Sequence, residues 1–215
     1  MKNRFDLIIF DWDGTLVDSI DWIVQCIQRA AAFYGCPVPE QQAARDIIGL
    51  SIEQAIQVLL PDVDADIRSK VVAHYGQSFF GKQISRDDLF PGVYQMLQQL
   101  KQDGYHLAVA TGKKSSGLAL AIEATGVADL FCTTRCSDQT ASKPDALMID
   151  EIVWELGVSK QRTLMVGDSV HDLQMALNAQ VASIGVTCGA HSEAILKQYQ
   201  PLYCLAYPTE LIGII

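Results

Sequence analysis

Two aspartates, Asp11 and Asp13, follow directly after a short apolar run near the start of the chain. The run, residues 7–10, is typical of a strand buried in a parallel sheet, although its apolarity alone also fits a buried helix. Ligands of such sheets bind beyond the carboxyl ends of the strands, so both side chains are predicted to face a site. Two carboxylates at one strand end repel each other unless a cation or a shared proton compensates. The pair therefore indicates a cation site, with a solvated Asp-Gly turn as the alternative.

A candidate anion site follows the apolar run 107–110. Thr111 and Gly112 lie where a strand is predicted to lead into a helix, so a hydroxyl and free backbone N–H groups are available to an anionic oxygen. The alternative is an ordinary helix N-cap, where threonine is common. By itself this pair is weak evidence for a ligand.

Two further segments supply charges. Lys143 precedes Pro144, the predicted first residue of a helix, and a lysine at that end opposes the helix dipole unless an anion compensates. A solvated surface lysine is the alternative. Asp168 and Asp172 follow the apolar run 163–166 and share a face if the segment coils. A capped helix start explains one of these two aspartates but not both.

In order, the four segments resemble the four motifs of the haloacid dehalogenase (HAD) superfamily, and the resemblance covers essentially the whole chain. Asp11-Trp12-Asp13-Gly14-Thr15 is similar to the nucleophile motif, and Gly167-Asp168-Ser169-Val170-His171-Asp172 is similar to the fourth motif. The chain looks closest to phosphoglycolate phosphatase-like proteins with a helical cap. Trp12 departs from the small or aliphatic residue usual between the aspartates, which leaves catalysis intact but is expected to affect packing at the cap hinge.

The resemblance implies a role for each motif residue. Asp11 is the implied nucleophile and Asp13 the implied general acid and base. Mg²⁺ is implied to bind the Asp11 carboxylate, the Asp13 main-chain carbonyl and Asp168, with Asp172 supporting the site from behind. The residues implied to bind the phosphoryl group are Thr111, Gly112 and Lys143.

The alternation of apolar runs and helical patterns predicts an α/β fold, with a doubly wound, mainly parallel sheet. Helices are predicted between the strands from residue 107 onward. One of them is expected over residues 144–156. The predicted strands are residues 7–10, 107–110, 130–133, 163–166, 182–186 and 203–205.

Only helices are predicted between the first strand and residue 82, because apolar residues recur there at three- and four-residue spacing and no strand pattern occurs. We therefore expect a core domain of residues 1–17 and 83–215 and a smaller, all-helical cap domain of residues 18–82. The polar segment 82–88 and the segment 16–19 are the expected hinges.

Composition restricts the partners of the protein. The chain has 215 residues, 49% of them hydrophobic, and a net charge of -9, which argues against nucleic-acid or membrane-surface partners. The six cysteines form no CxxC pair, so reduced thiols are expected; a disulfide between Cys132 and Cys136 is the less favoured alternative. No signal peptide or membrane span is predicted, so a cytoplasmic location is expected. The protein is expected to be a monomer or a homodimer.

These observations and the resemblance predict a Mg²⁺-dependent phosphomonoesterase that hydrolyses a small soluble phosphate ester through an aspartyl-phosphate. A sugar-phosphate mutase of the same fold is the first alternative, but the first cap helix, around Ile23, lacks the histidine that such mutases carry. A dehalogenase has no need of Asp13. A non-catalytic phosphate-binding protein would retain costly unsatisfied carboxylates.

Substrate choice is expected to depend on the cap. Gly49 permits close backbone approach, Ser51 opens a helix, and Arg45 is available to pair with a substrate carboxylate, as phosphoglycolate requires. A simple turn between two helices is the alternative reading of this segment. The four histidines are interpreted as structural, and His171 alone is expected near the site.

Overall fold

A single parallel sheet forms the centre of the protein. The computed structural model describes residues 4–215 of the chain. The strands of this part are β1 (Leu7–Phe10), β2 (His106–Thr111), β3 (Thr133–Cys136), β4 (Thr163–Gly167), β5 (Ala182–Val186) and β6 (Tyr203–Leu205). They lie in the order β3-β2-β1-β4-β5-β6, and all neighbouring strands are parallel. The predicted α/β fold is confirmed.

Strand β1 lies in the interior of the sheet because both of its faces are apolar. Ile8 and Phe10 belong to one hydrophobic cluster, while Leu7 and Ile9 belong to another on the opposite face. Phe10 is in register with Val109 of β2 and with Val166 of β4. The three strands therefore end at the same edge of the sheet, which places the residues after them close together.

Helices cover both faces of the sheet. The helices from residue 93 onward are α5 (Val93–Gln102), α6 (Ser115–Thr125), α7 (Leu147–Leu156), α8 (Val170–Ala179) and the short α9 (Glu193–Leu196). Apolar residues of α5 and α6 join the cluster that contains Phe10, whereas residues of α7 and α8 join the cluster that contains Ile9. This arrangement explains why the interior strands are apolar throughout rather than alternating.

Four helices lie between β1 and α5 and pack mainly on one another. They share a hydrophobic cluster of their own, with Ile23, Ile27, Ile56 and Val71 among its buried members. The four helices are α1 (Ile20–Phe33), α2 (Gln41–Asp46), α3 (Ile52–Leu59) and α4 (Ala65–Phe80).

The two chain segments that join this helical unit to the sheet run side by side. Val17 and Leu89 form an antiparallel bridge. Asp18 N donates to Asp88 O at 2.9 Å, and Phe90 N donates to Leu16 O at 3.0 Å. The division into a core and a cap at residues 18–82 stays a prediction, and these paired segments are the structural observation that supports it.

Two predicted boundaries are wrong. Strand β3 spans Thr133–Cys136 rather than residues 130–133, because the apolar pair at 130–131 ends a 3₁₀ turn and packs on the core, while the strand itself is polar and half-exposed. Helix α7 begins at Leu147 rather than at Pro144, where Leu147 N donates to Asp145 Oδ1 at 2.9 Å.

Trp12 packs in the sheet's hydrophobic cluster and is 1% exposed. Its ring meets that of Phe131 edge to face at a centroid distance of 6.5 Å. It also borders a small cavity together with Val17 and Ile84 of the two connecting segments. No helix among the described residues is long and apolar enough to span a membrane.

Candidate active site

The residues after strands β1, β2 and β4 meet at one edge of the sheet. Asp11 follows β1 directly, Thr111 ends β2, and Asp168 follows β4. Each of these residues is at most 2% exposed. The structure thus brings together residues that are far apart in the sequence, as the parallel register requires.

Lys143 connects two of the acidic residues. Its Nζ donates to Asp11 Oδ1 at 2.6 Å and to Asp172 Oδ1 at 2.5 Å, and its side chain is fully buried. Burial alone would lower the pKa of Lys143, but the charges of Asp11 and Asp172 together outweigh it and raise the pKa. The alternative of a solvated surface lysine is therefore wrong. The carboxylates of Asp11 and Asp172 are the anions that compensate the charge of Lys143.

One oxygen of Asp11 stays free of protein donors. Lys143 bonds its Oδ1, whereas no residue of the described chain donates to its Oδ2. The residue also lines a largely apolar cavity of about 390 Å³. Burial raises the pKa of Asp11 well above its ordinary value, and the neighbouring Lys143 opposes this rise. Such an oxygen is available to a ligand that brings positive charge or to an electrophile.

Asp168 is held by two hydrogen bonds. Thr15 Oγ1 donates to its Oδ1 at 2.8 Å, and Ala190 N donates to its Oδ2 at 2.7 Å. Burial and the nearby charge of Asp172 nevertheless raise the pKa of Asp168 to about 7. The site disfavours a second ionised carboxylate unless a cation is present.

Asp172 completes the acidic group but has no free oxygen. Its Oδ1 accepts from Lys143, and its Oδ2 accepts from both Ser169 N and Ser169 Oγ, which form the capping box that begins α8. This capping geometry explains the spacing of Asp168 and Asp172 in the sequence. It also makes Asp172 a residue that positions Lys143.

The donor set fits a divalent cation. Oxygens of Asp11, Asp168 and Asp172 lie within 4.8 Å of one another, and all three residues are buried. Three buried carboxylates face one buried ammonium, Lys143, so ionising all of them leaves an uncompensated negative charge. Carboxylate oxygens are the ligands preferred by Mg²⁺. Asp11 and Asp168 are the members best placed to hold such an ion, because neither Asp168 oxygen accepts more than one hydrogen bond, whereas Asp172 accepts three and one of these comes from the Lys143 ammonium.

Asp13 faces the same cavity with different partners. Ser19 Oγ donates to its Oδ1 and Lys113 Nζ to its Oδ2, both at 2.8 Å. The Lys113 ammonium also lies 4.2 Å from the centroid of the Phe79 ring. Lys113 and Ser19 were not predicted as site residues. The only indication in the sequence is that Lys113 lies close to Thr111 along the chain and Ser19 lies close to Asp13.

Thr111 is the last residue of a strand and not a helix N-cap. Helix α6 begins at Ser115, and the Thr111 hydroxyl accepts from Lys113 N at 3.2 Å. The N-cap alternative is wrong. Thr111 and Gly112 line the cavity beside Asp11.

A loop of the helical unit closes over this edge of the sheet. Gly49 has a φ of +108°, and it lines the cavity with Leu50. A Cβ at Gly112 would lie 2.4 Å from Leu50 O and 2.5 Å from Gly49 O. Only glycine allows this approach of the two backbones.

The other two predicted cap residues do not line the cavity. Arg45 Nη2 pairs with Asp21 Oδ1 at 2.5 Å, and Arg45 borders a separate shallow groove. Ser51 caps α3, because its Oγ accepts from Gln54 N at 3.3 Å, and its own N–H donates to Ser142 Oγ.

Two histidines contact the helical unit from the sheet side. His171 Nε2 lies 3.0 Å from Asp46 O, and His191 Nε2 lies 3.7 Å from Asp46 Oδ1. Burial lowers the pKa of both rings. His171 lies near the site as expected, and His191 is a neighbour that the sequence analysis did not predict.

The fold and the site define a class of protein. It has a parallel α/β core and a helical insertion, which lies above a buried group of aspartates and one lysine. A model of the family described as haloacid dehalogenase-like hydrolase matches residues 8–186. The chain belongs to this family, which confirms the resemblance and the prediction of an enzyme.

Curated relatives and solved structures agree with this assignment. The chain is 37% identical to "Probable phosphatase IndB" of Dickeya dadantii, over 96% of this chain and 92% of that protein. It is 34% identical to "Phosphoglycolate phosphatase" of Agrobacterium fabrum, over 91% of this chain and 85% of that protein.

Solved structures share the fold at lower identity. A hydrolase from Pseudomonas syringae has a TM-score of 0.87 at 20% identity and covers 97% of this chain and 96% of its own. A β-phosphoglucomutase from Clostridium difficile has a TM-score of 0.84 at 16% identity and covers 96% and 93%. The fold alone is therefore shared by hydrolases and a mutase.

Proposed function

We propose that the protein is a Mg²⁺-dependent phosphomonoesterase that hydrolyses a small phosphate ester through a phosphorylated Asp11. The observation that carries this proposal is the Asp11 carboxylate, which lines the cavity, accepts on Oδ1 from the buried Lys143 and receives no donor on Oδ2 from residues 4–215. The curated relatives named as phosphatases support the reaction class.

In the first step Asp11 Oδ2 attacks phosphorus. The bond between phosphorus and the ester oxygen breaks, its electron pair stays on that oxygen, and a protonated Asp13 supplies the proton that completes the alcohol. Ser19 and Lys113 hold Asp13 in the cavity wall for this transfer. Lys143, Thr111 and Gly112 bind the phosphoryl oxygens, whose charge is where stabilisation is needed.

In the second step Asp13 accepts a proton from water, and the water oxygen attacks phosphorus. The bond from phosphorus to Asp11 breaks and returns the carboxylate, which releases inorganic phosphate. Mg²⁺, when held by Asp11, the Asp13 main-chain carbonyl and Asp168, neutralises phosphoryl charge. Asp172 positions Lys143 throughout.

The helical unit acts as a cap of residues 18–82 over a core of residues 1–17 and 83–215. It excludes water from the site in the closed arrangement of Gly49 and Gly112. We further propose cytoplasmic activity as a monomer or homodimer, without nucleic-acid or membrane partners.

The experiment is phosphate release from ethyl phosphate, a minimal alkyl ester, with Mg²⁺ present and after exhaustive treatment with EDTA. We expect activity only with Mg²⁺, and restoration when Mg²⁺ is added back. Undiminished hydrolysis after EDTA treatment contradicts the metal requirement. Transfer of the phosphoryl group between two sugar hydroxyls without phosphate release identifies the mutase alternative instead.

A further inference from the structure

The cavity above the nucleophile is larger than a two-carbon ester requires. Its volume is about 390 Å³. It lies between α1, α4, the loop at Gly49 and the edge of the sheet, and Asp11 and Asp13 form part of its floor. Small-molecule sites typically enclose roughly 300–1,000 Å³, so the space accommodates a leaving group well beyond glycolate.

The cap contributes an apolar wall to this cavity. Its lining side chains include Ile23, Ile27, Val72, Tyr75 and Phe79. None of the cap residues lining the cavity, within the part of the chain that the structure describes, is charged. Two of the aromatic rings, Tyr75 and Phe79, stack with a centroid distance of 5.7 Å and an angle of 28° between their planes.

The core contributes cations, but these already have partners. Lys113 pairs with Asp13 at 2.8 Å, and Lys114 pairs with Glu53 at 2.6 Å. Arg45 pairs with Asp21 outside the cavity. A carboxylate on the leaving group would therefore be buried against apolar side chains without a counter-charge, which is costly.

Tyr75 adds a phenolic hydroxyl to the residues of this wall. No residue of the described chain hydrogen-bonds to the Tyr75 hydroxyl, although the side chain is partly buried in the cavity wall. Burial and the nearby Asp13 charge raise the pKa of this phenol, so the hydroxyl stays protonated and able to donate. A neutral oxygen or nitrogen on a leaving group satisfies it.

We infer that the substrate is the phosphate ester of an uncharged, ring-bearing alcohol, whose ring packs on Phe79 and Tyr75, rather than phosphoglycolate. This inference rests on the proposed phosphatase function. The apolar wall stabilises the ring by removing it from water, and the same wall discriminates against an anionic leaving group. The cap thus selects for shape and apolarity, while the core recognises phosphate.

The test compares kcat/KM for benzyl phosphate, ethyl phosphate and phosphoglycolate, three alkyl esters that all need a proton on the leaving oxygen. We expect benzyl phosphate to exceed each of the others by at least about tenfold, as apolar pockets discriminate by roughly 10–200-fold per added group. A kcat/KM for phosphoglycolate equal to or above that for benzyl phosphate overturns the inference and leaves the phosphatase function intact. Hydrolysis of none of the three with Mg²⁺ present overturns both.

Variants locate the selectivity. Phe79→Ala should lower kcat/KM for benzyl phosphate by a larger factor than kcat/KM for ethyl phosphate, because only benzyl phosphate loses a ring contact, whereas Phe33→Ala, on an exposed face of the cap, should leave the ratio of the two values unchanged. Equal losses of kcat/KM on both esters in Phe79→Ala overturn the ring contact.

Val72→Lys provides a second test if Phe79→Ala does not fold, because a cation in the wall should raise kcat/KM for phosphoglycolate relative to kcat/KM for benzyl phosphate. An unchanged ratio in that variant overturns the apolar selection.

Discussion

Asp11 and Asp13 are two residues apart but have different neighbours in the folded protein. Asp11 is held on one oxygen by a buried lysine, and no other residue in the described part of the chain donates to its second oxygen. Asp13 has both oxygens bonded, one by Ser19 and one by Lys113. The free oxygen suits attack on phosphorus, and the anchored carboxylate suits proton transfer at a fixed position.

The first prediction separates these two roles. Asp11→Asn should form no phosphoenzyme and lose activity on every ester, because the attacking oxygen is gone. Asp13→Asn should be slowed by roughly 10²–10⁴-fold on ethyl phosphate and much less on an aryl phosphate, whose leaving group departs unprotonated. Acid-quenched labelling and steady-state rates on both esters measure this. Equal losses on alkyl and aryl esters would remove Asp13 from the role of general acid.

The second prediction concerns Lys113, which acts through Asp13. Lys113→Met should lower kcat for ethyl phosphate by about tenfold or more and leave KM nearly unchanged, since Asp13 loses one of its two anchors. Lys197→Met is the control, because that lysine pairs with Glu193 on the surface and is not part of the cavity lining. A rise in KM without a change in kcat would place Lys113 in substrate binding instead.

At the scale of elements, apolar patterns predicted the interior strands and the long helices well. Residues 7–10 form β1 as predicted, because both faces of this strand are buried. The edge strand β3 was misplaced because its residues are polar and half-exposed, while the apolar pair before it packs on the core without pairing. Helix α2, at Gln41–Asp46, buries a single residue, Ala44, so the spacing of apolar residues gives little signal for a separate helix there.

The contact between two glycine-containing loops gives the third prediction. Gly112→Ala would place a Cβ 2.4 Å from Leu50 O, so the cap must move away from the sheet edge. We expect kcat/KM to fall by about tenfold or more, because closure excludes water and completes the site. Gly213→Ala is the control, since a Cβ there meets nothing within 4 Å. Full activity of Gly112→Ala would show that closure tolerates a wider gap.

At the scale of the whole molecule, the candidate site was predictable where strand order determines it. Asp11, Thr111 and Asp168 converge because parallel strands end together. Residues placed by packing between distant segments were not predictable. Arg45 is the clearest example, because its pairing with Asp21 depends on how α1 and α2 pack.

The fourth prediction links the metal to stability. The pKa of Asp168 is raised to about 7 in the folded chain, against an ordinary value of about 3.9. Its protonated form therefore favours folding below about pH 4, and this contribution is lost as the pH rises through about 7. Mg²⁺ binds the ionised form, so its stabilising effect should grow with pH.

The measurement is the Tm with and without Mg²⁺ at about pH 5.5 and about pH 8. At a Mg²⁺ concentration about a hundredfold above Kd, the gain at the higher pH should reach roughly 5–10 °C, and it should be smaller at the lower pH. Asp168→Asn should reduce the gain at both pH values. The same gain at both pH values in the unaltered protein would contradict the competition between protons and metal.

The paired connecting segments have an evolutionary consequence. Val17 and Leu89 lie side by side, so the chain leaves the sheet and returns to it at nearly one point. A unit inserted through such a narrow ribbon is exchangeable as a module, because its replacement leaves the strand order and the charged residues at the sheet edge in place. Lineages of this architecture can therefore diverge in substrate by transplanting or remodelling one inserted segment, while the catalytic edge of the sheet is inherited unchanged.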